Sequence, residues 1–229
     1  MGNVQFSAAI SEIRGKIGGC VFSKNRAGAY IRKKVTPVNP KSVGQIAKRA
    51  LMATYSQTWR TITQAQRDAW TSAVSGYAKT NIFGDLRNPT GLQLYCKINL
   101  NLLNSGATAI TTPAAPKGVS VVTIGVLTFT SGTPALSLAR SGAVPAATRM
   151  IVYASPALSA GVNFVKSKLR IITTVAAATA SPDNLLASWN TKFGAIGAVG
   201  TKIFVGIRFV DSTSGIASPI QLVSQIAAT

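Results

Sequence analysis

The period of apolar and polar positions changes twice along the chain. Between residues 15 and 35 it is two. Segments 16–22 and 29–35 read as the strands of a β-hairpin around the turn 23–28, which is rich in residues that tolerate positive φ. On the second strand Tyr30, Arg32 and Lys34 share one face, and Ile31, Lys33 and Val35 the other. The pair Gly18-Gly19 reads as a bulge or a close backbone approach. From residue 39 the period becomes three to four. Asn39 as N-cap and Pro40 as first helical residue open a long helix with Val43, Ile46, Ala47, Ala50, Leu51, Thr54, Tyr55, Thr58 and Trp59 on its stripe. The run Thr63-Gln64-Ala65-Gln66 is a capping box for a second helix, with Ala69, Trp70, Ala73, Val74 and Tyr77 on one face. A third helix is expected from 88–90 to 104, ending near Gly106. Its stripe is Leu92, Tyr95, Cys96, Asn99 and Leu103, widened by Leu94, Ile98 and Leu102. These stripes predict one small core shared with the hairpin.

The stretch 105–117, with Gly106, Pro113 and Pro116 among small residues, reads as a linker. Beyond it the period returns to two in short segments: 119–128, 135–139, 148–154, 169–175, 202–211 and 221–226. About seven such strands make an immunoglobulin- or fibronectin-like antiparallel β-sandwich, and six are visible. Segment 181–189 reads as a short helical crossing. The expected architecture is α+β. A hairpin-plus-three-helix module covers 1–112, a linker 113–116 and a β-sandwich 117–229.

Charge changes the picture of what such a fold does. The chain of 229 residues has 24 Lys+Arg, 5 Asp+Glu and no histidine, a formal net charge of +19. Polar catalysis needs groups that titrate near neutrality or anionic ligands for a metal, and both are scarce here. A non-enzymatic protein without cofactor or metal is expected. The serines lack a visible base, and two isolated cysteines, Cys20 and Cys96, read as buried free thiols. Asp85 and Asp211 sit in turn contexts and read as turn caps. Mean hydropathy is +0.28 and 47% of residues are apolar, so the charge belongs to folded domains and not to a disordered tail. No apolar run reaches membrane-spanning length, and the N-terminus has neither the charged start of a signal peptide nor a myristoylation motif.

Residues 1–116 carry 15 Lys+Arg against three acids. The candidate binding residues for nucleic acid or a protein partner are Lys24, Arg26, Arg32, Lys33, Lys34, Lys48 and Arg49. They would neutralise DNA phosphates or dock on an acidic protein surface. Trp59-Arg60 and Arg67-Asp68-Ala69-Trp70 invite a base-stacking reading, but both tryptophans lie on apolar helical faces and read as core anchors. Gly18-Gly19 is followed by no Gly-Lys-Ser/Thr and is not a phosphate loop.

Five blocks carry a resemblance. They are Gly15-Lys16-Ile17-Gly18-Gly19; residues 22–32; Thr36-Pro37-Val38-Asn39-Pro40-Lys41-Ser42; residues 59–70; and residues 83–95, with Phe83-Gly84-Asp85-Leu86-Arg87 and Thr90-Gly91-Leu92-Gln93-Leu94-Tyr95. Together, over about 13–105, they resemble a family of uncharacterised proteins from tailed bacteriophages and prophages. Phe193-Gly194, residues 202–205 and Asp211-Ser212-Thr213-Ser214-Gly215 resemble the sandwich domains that often follow this module. The resemblance implies phage ancestry and a place in the virion, assembled in the host bacterial cytoplasm. It implies no catalytic residue. The expected function is a structural role in the capsid or head–tail connection. The partners would be other virion proteins, further copies of this chain and packaged DNA, with no membrane. The alternative is a protein that coats or condenses phage DNA without sequence preference.

Overall fold

The computed structural model describes residues 2–7, 10–25, 28–80, 84 and 86–228. It is a mixed α+β protein with four α-helices and several antiparallel sheets among the described residues. The chain divides into two compact units, Met1–Ile46 and Ala47–Thr229.

In the first unit, strands β1 (Gly2–Asn3), β2 (Gly15–Ile17), β3 (Cys20–Asn25) and β4 (Gly28–Lys33) form one sheet in the order β1-β4-β3-β2. The segment expected as one strand over 16–22 is itself a hairpin. Ile17 pairs with Cys20 across Gly18-Gly19, and Gly18 has φ +55, the positive value a two-residue hairpin turn demands of its first residue. The glycines therefore turn the chain instead of bulging it. β3 and β4 pair from Cys20↔Lys33 to Asn25↔Gly28. The two residues between them, Arg26 and Ala27, lie outside the described residues. β1 adds to the free edge of β4 through Gly2↔Ile31 and Asn3↔Tyr30.

The long helix α1 (Val43–Thr61) starts later than the N-cap at Asn39 suggested. Asn39 Oδ1 accepts the Lys41 N–H at 3.2 Å, and Lys41 has φ +46, so this segment is a turn. The helix takes its first bond at Ser42, whose carbonyl accepts from Ile46 N at 3.0 Å. Helix α2 (Gln64–Ser72) opens on the Thr63–Gln66 capping box, and a 3-10 turn follows at Ala73–Tyr77. Strands β5 (Lys79–Thr80) and β6 (Leu86–Arg87) form a two-stranded ribbon. Helix α3 (Gly91–Ser105) opens on a second capping box, Thr90–Gln93, and closes on Gly106 at φ +75.

These helices make their own core. Tyr95 of α3 lies at its centre, with ring centroids 5.4 Å from Trp59, 5.4 Å from Trp70 and 6.3 Å from Tyr55. Every residue of this cluster belongs to the second unit. In the first unit each face of the hairpin carries cations, Lys16 and Arg32 on one, Lys24 and Lys33 on the other. Leu94, Ile98 and Leu102, on the widened part of the α3 stripe, are buried as completely as Tyr95 and Asn99 on the stripe itself, whereas Leu92 and Leu103 are exposed. The stripe is wide because α3 packs against helices on one side and a sheet on the other.

Seven strands complete the second unit. They are β7 (Ile124–Thr130), β8 (Ala135–Arg140), β9 (Thr148–Ala154), β10 (Arg170–Val175), β11 (Asp183–Asn184), β12 (Lys202–Asp211) and β13 (Gln221–Ile226). They form two sheets, β10-β9-β12-β13 and β11-β8-β7. One cluster of buried residues is drawn from both, including Phe129, Leu138, Met150, Val152, Val205 and Phe209. Segment 181–189 is part strand and part helix: β11 pairs with β8, and α4 (Leu186–Phe193) begins directly after it, with Trp189 in the core. α3 lies against β9 and β12, the two central strands, which explains why β12 is buried along nearly its whole length. Segment 105–117 is strapped down. Its carbonyls at Ile110, Thr111 and Ala114 accept from Asn99 Nδ2 (3.1 Å), Trp70 Nε1 (2.7 Å) and Tyr77 Oη (2.9 Å). The boundary expected at 113–116 thus falls inside the second unit, since the helices and both sheets belong to it.

Buried between β8 and β11, Arg140 and Asp183 form a two-pronged ion pair, Nε–Oδ2 at 2.6 Å and Nη2–Oδ1 at 3.0 Å. The remaining guanidinium hydrogens go to the carbonyls of Gly142, Thr179 and Ala180.

Candidate functional site

The cations singled out in the sequence are divided between the two units. Lys24, Arg32, Lys33 and Lys34 belong to the first unit, Lys48 and Arg49 to the second, and Arg26 lies outside the described residues. Within the first unit the pleat divides them. Arg32 stands opposite Val21, on the face of Tyr30 and Ser23, while Lys33 opposes Cys20 and Lys24 opposes Ala29 on the other face. Lys24 Nζ is also 4.0 Å from Glu12, whose carboxylate holds Arg14 at 2.8 Å. Lys48 Nζ donates to Asn104 Oδ1 at 2.9 Å, tying α1 to the end of α3. Neither tryptophan offers a stacking platform: Trp70 is fully buried and Trp59 is tilted against Tyr95.

The same pleat gathers Ile17, Cys20, Phe22 and Ile31 on one face, beside Lys24 and Lys33. No described residue of the first unit is buried, and Ile17 is 59% exposed. Cys20, expected to be buried, is only half-buried; Cys96 is buried, and burial pushes its thiol pKa up. Both thiols are free.

A second concentration of cations lies in the second unit, where the sequence offered no run to mark it. A cavity of about 450 Å³ is walled by Lys79, Lys97, Lys117 and Arg208, with Tyr77 and Asn101. Each cation arrives on a different element: Lys79 on β5, Lys97 on α3, Lys117 on the strapped segment and Arg208 on β12. The segment is held close here, since a Cβ on Gly76 would stand 2.8 Å from the Pro116 ring. A neighbouring cavity of about 390 Å³ shares Tyr77, Lys79 and Lys97 and adds Arg87. Burial pulls the Lys97 pKa down, and the charges of Lys79 and Arg208 lower it further. The four described carboxylates each have their own hydrogen-bond partners: Glu12 holds Arg14, Asp68 accepts from Gln64, Asp183 pairs with Arg140, and Asp211 accepts from Thr213 and Ser214, with Lys117 the one cavity cation whose charge it feels. Asp85 lies outside the described residues, and with it the turn role expected of it.

Among the described residues no group of three or more His, Cys, Asp or Glu could hold a metal ion, and no helix is long and apolar enough to cross a membrane. Comparison with protein-family models, curated proteins and solved structures finds no match to the chain.

Proposed function

We propose that the protein is a non-enzymatic structural component of a tailed-phage particle, in the head or the head–tail connection, docked through its basic N-terminal unit. The observation that carries this reading is the small sheet of the first unit. Four strands of two to six residues, in which no described side chain is buried, do not sustain themselves in water. Burying Ile17, Cys20, Phe22 and Ile31 on a neighbouring subunit completes them, with Lys24 and Lys33 meeting acidic groups at the rim. The sequence blocks that resemble phage proteins include all of β2 and most of β3 and β4. The second unit fits the same role. β7, β8 and β11 in one sheet, with β9, β10, β12 and β13 in the other, support a fibronectin-like reading of this pair of sheets. The alternative, DNA coating through the hairpin cations, has less support, because those cations divide between the two faces of the hairpin.

Mass spectrometry of washed, DNA-filled particles tests the reading. The protein is expected at a fixed copy number relative to the major shell protein, and its absence would remove the proposal. Replacing Phe22 and Ile31 by Asp should cut incorporation tenfold or more without changing the melting of the second unit. Incorporation at the normal level would place the attachment elsewhere.

A further inference from the structure

We infer that the cationic cavity of the second unit, walled by Lys79, Lys97, Lys117 and Arg208 and continued by Arg87, binds the phosphates of a nucleic-acid strand. This site is separate from the hairpin and does not depend on the proposed place in a particle.

Three observations carry the inference. The first is concavity. Five cations border two cavities that share Lys79 and Lys97, so they line one continuous hollow instead of scattering over a convex surface. Low-dielectric walls around charges of one sign focus the field and draw in an anion. The second is repulsion. Lys79 stands directly across from Arg87 in the β5–β6 ribbon, where like charges oppose pairing. Lys97 is harder to protonate first because it is partly buried and then because the charges of Lys79 and Arg208 act on it. No described carboxylate makes an ion pair with any of the five. A fold that keeps such neighbours together is relieved when an anion enters. The third is fixation. Arg208 donates from Nε to the Ser218 carbonyl at 2.9 Å, and Tyr77 donates its hydroxyl to the Ala114 carbonyl at 2.9 Å. The walls are thereby set before a ligand arrives, with the outer guanidinium nitrogens of Arg208 left over.

A strand of phosphates brings a row of fixed charges to the row of cations that borders the two cavities. Three of the five cations are lysines, point charges whose three N–H groups can donate to a phosphate oxygen from many directions, and the guanidinium fork of the arginines matches phosphate as well. Among the described residues Tyr77 is the single aromatic of the lining, and its hydroxyl is already engaged with the Ala114 carbonyl. Binding is therefore to the backbone and indifferent to sequence.

Fluorescence anisotropy of the full chain with a labelled DNA duplex, over a salt series, tests the site. Changing Lys79, Lys97 and Arg208 together to Gln should weaken binding about 50-fold at 0.1 M salt and lower the slope of log K against log salt by about 2 to 3. Changing Arg32, Lys33 and Lys34 to Gln removes the same charge and should weaken binding less than fivefold. An equal or larger loss in the hairpin variant, or an unchanged affinity in the cavity variant, would overturn the assignment. Thermal melting separates loss of the site from loss of fold: Lys97→Gln alone should melt no lower than the unaltered protein while binding more weakly. A lower melt with unaltered affinity would make Lys97 merely structural. Poly-glutamate displacing the DNA as well as unlabelled DNA does at equal charge would reassign the cavity to an acidic protein segment.

Discussion

Asp211 closes β12 with one carboxylate oxygen receiving three hydrogen bonds, from Thr213 N at 3.0 Å, Ser214 N at 2.7 Å and Ser214 Oγ at 3.0 Å. Burial pulls its pKa upward, but the bonds from Ser214 and Thr213 and the charge of Lys117 outweigh that pull, and the carboxyl ends below its ordinary 3.8. A carboxyl lowered in the fold and ordinary in the unfolded chain stabilises the fold above that ordinary value. The contribution disappears as pH falls through the lowered value. Asp211→Asn should therefore cost about 1 kcal/mol at neutral pH and lose less stability than the unaltered protein between pH ~5 and ~2. Urea midpoints across that range check it; parallel pH profiles would contradict the assignment. This cap was legible in the sequence because its partners lie two and three residues away. The Arg140–Asp183 pair was not, because its partners are 43 residues apart and meet only when β11 joins β8. The cavity cations were hidden for the same reason: they stand singly in sequence, and only the packing of α3 on β12 brings Lys97 beside Arg208.

The elements read most reliably from sequence are those whose ends are fixed locally. Thr63–Gln66 capped α2 as the pattern required, and Gly106 ended α3. Gly18-Gly19 was misread because a bulge and a two-residue turn look alike until the partner of Ile17 is known. Strand β11, two residues long, leaves no period to read. Another glycine sets how close α3 comes to the sheet. Gly215, at φ +64 in the connection after β12, accepts a hydrogen bond from Asn101 Nδ2 at 3.0 Å. A Cβ there would stand 2.6 Å from Ile98 Cγ2 and 2.9 Å from the Ile98 carbonyl. Gly215→Ala should destabilise the protein by about 2–4 kcal/mol, from strained backbone and a forced displacement of α3. Gly118→Ala meets nothing within 4 Å and should change stability by less than about 0.5 kcal/mol. Urea unfolding of both variants measures the contrast, and equal effects would mean that α3 does not depend on this approach.

At the scale of the molecule, the described residues that are buried all belong to the second unit. Described residues from Lys34 to Ala50 are all exposed, and they include Lys34, Lys41, Lys48 and Arg49. Lys117 is also exposed, but its segment is tied to α2, α3 and the 3-10 turn. Limited trypsin digestion should therefore cut first between 33 and 49 and leave a fragment running to the C-terminal strands that melts cooperatively. Early cleavage at Lys117, separating helices from sheets, would restore the boundary that the sequence suggested at 113–116. The proline- and glycine-bearing stretch looked like a linker because its tethers come from Trp70, Tyr77 and Asn99, all of which reach back to it from elements that precede it.

The sheet of the first unit ends in two unlike strands, β1 at one margin and β2 at the other, each with one side of its backbone unpaired. That asymmetry constrains symmetry. If copies join by β2 of one to β1 of the next, the strand directions continue to alternate, and the joint is heterologous. Repetition then closes into a ring of fixed number or runs on as a helix, and no two-fold pair results. If β2 meets β2, the joint is isologous and stops at a dimer. A native mass spectrum that shows a single cyclic number, an open ladder or a dimer identifies which margin of this small sheet is used.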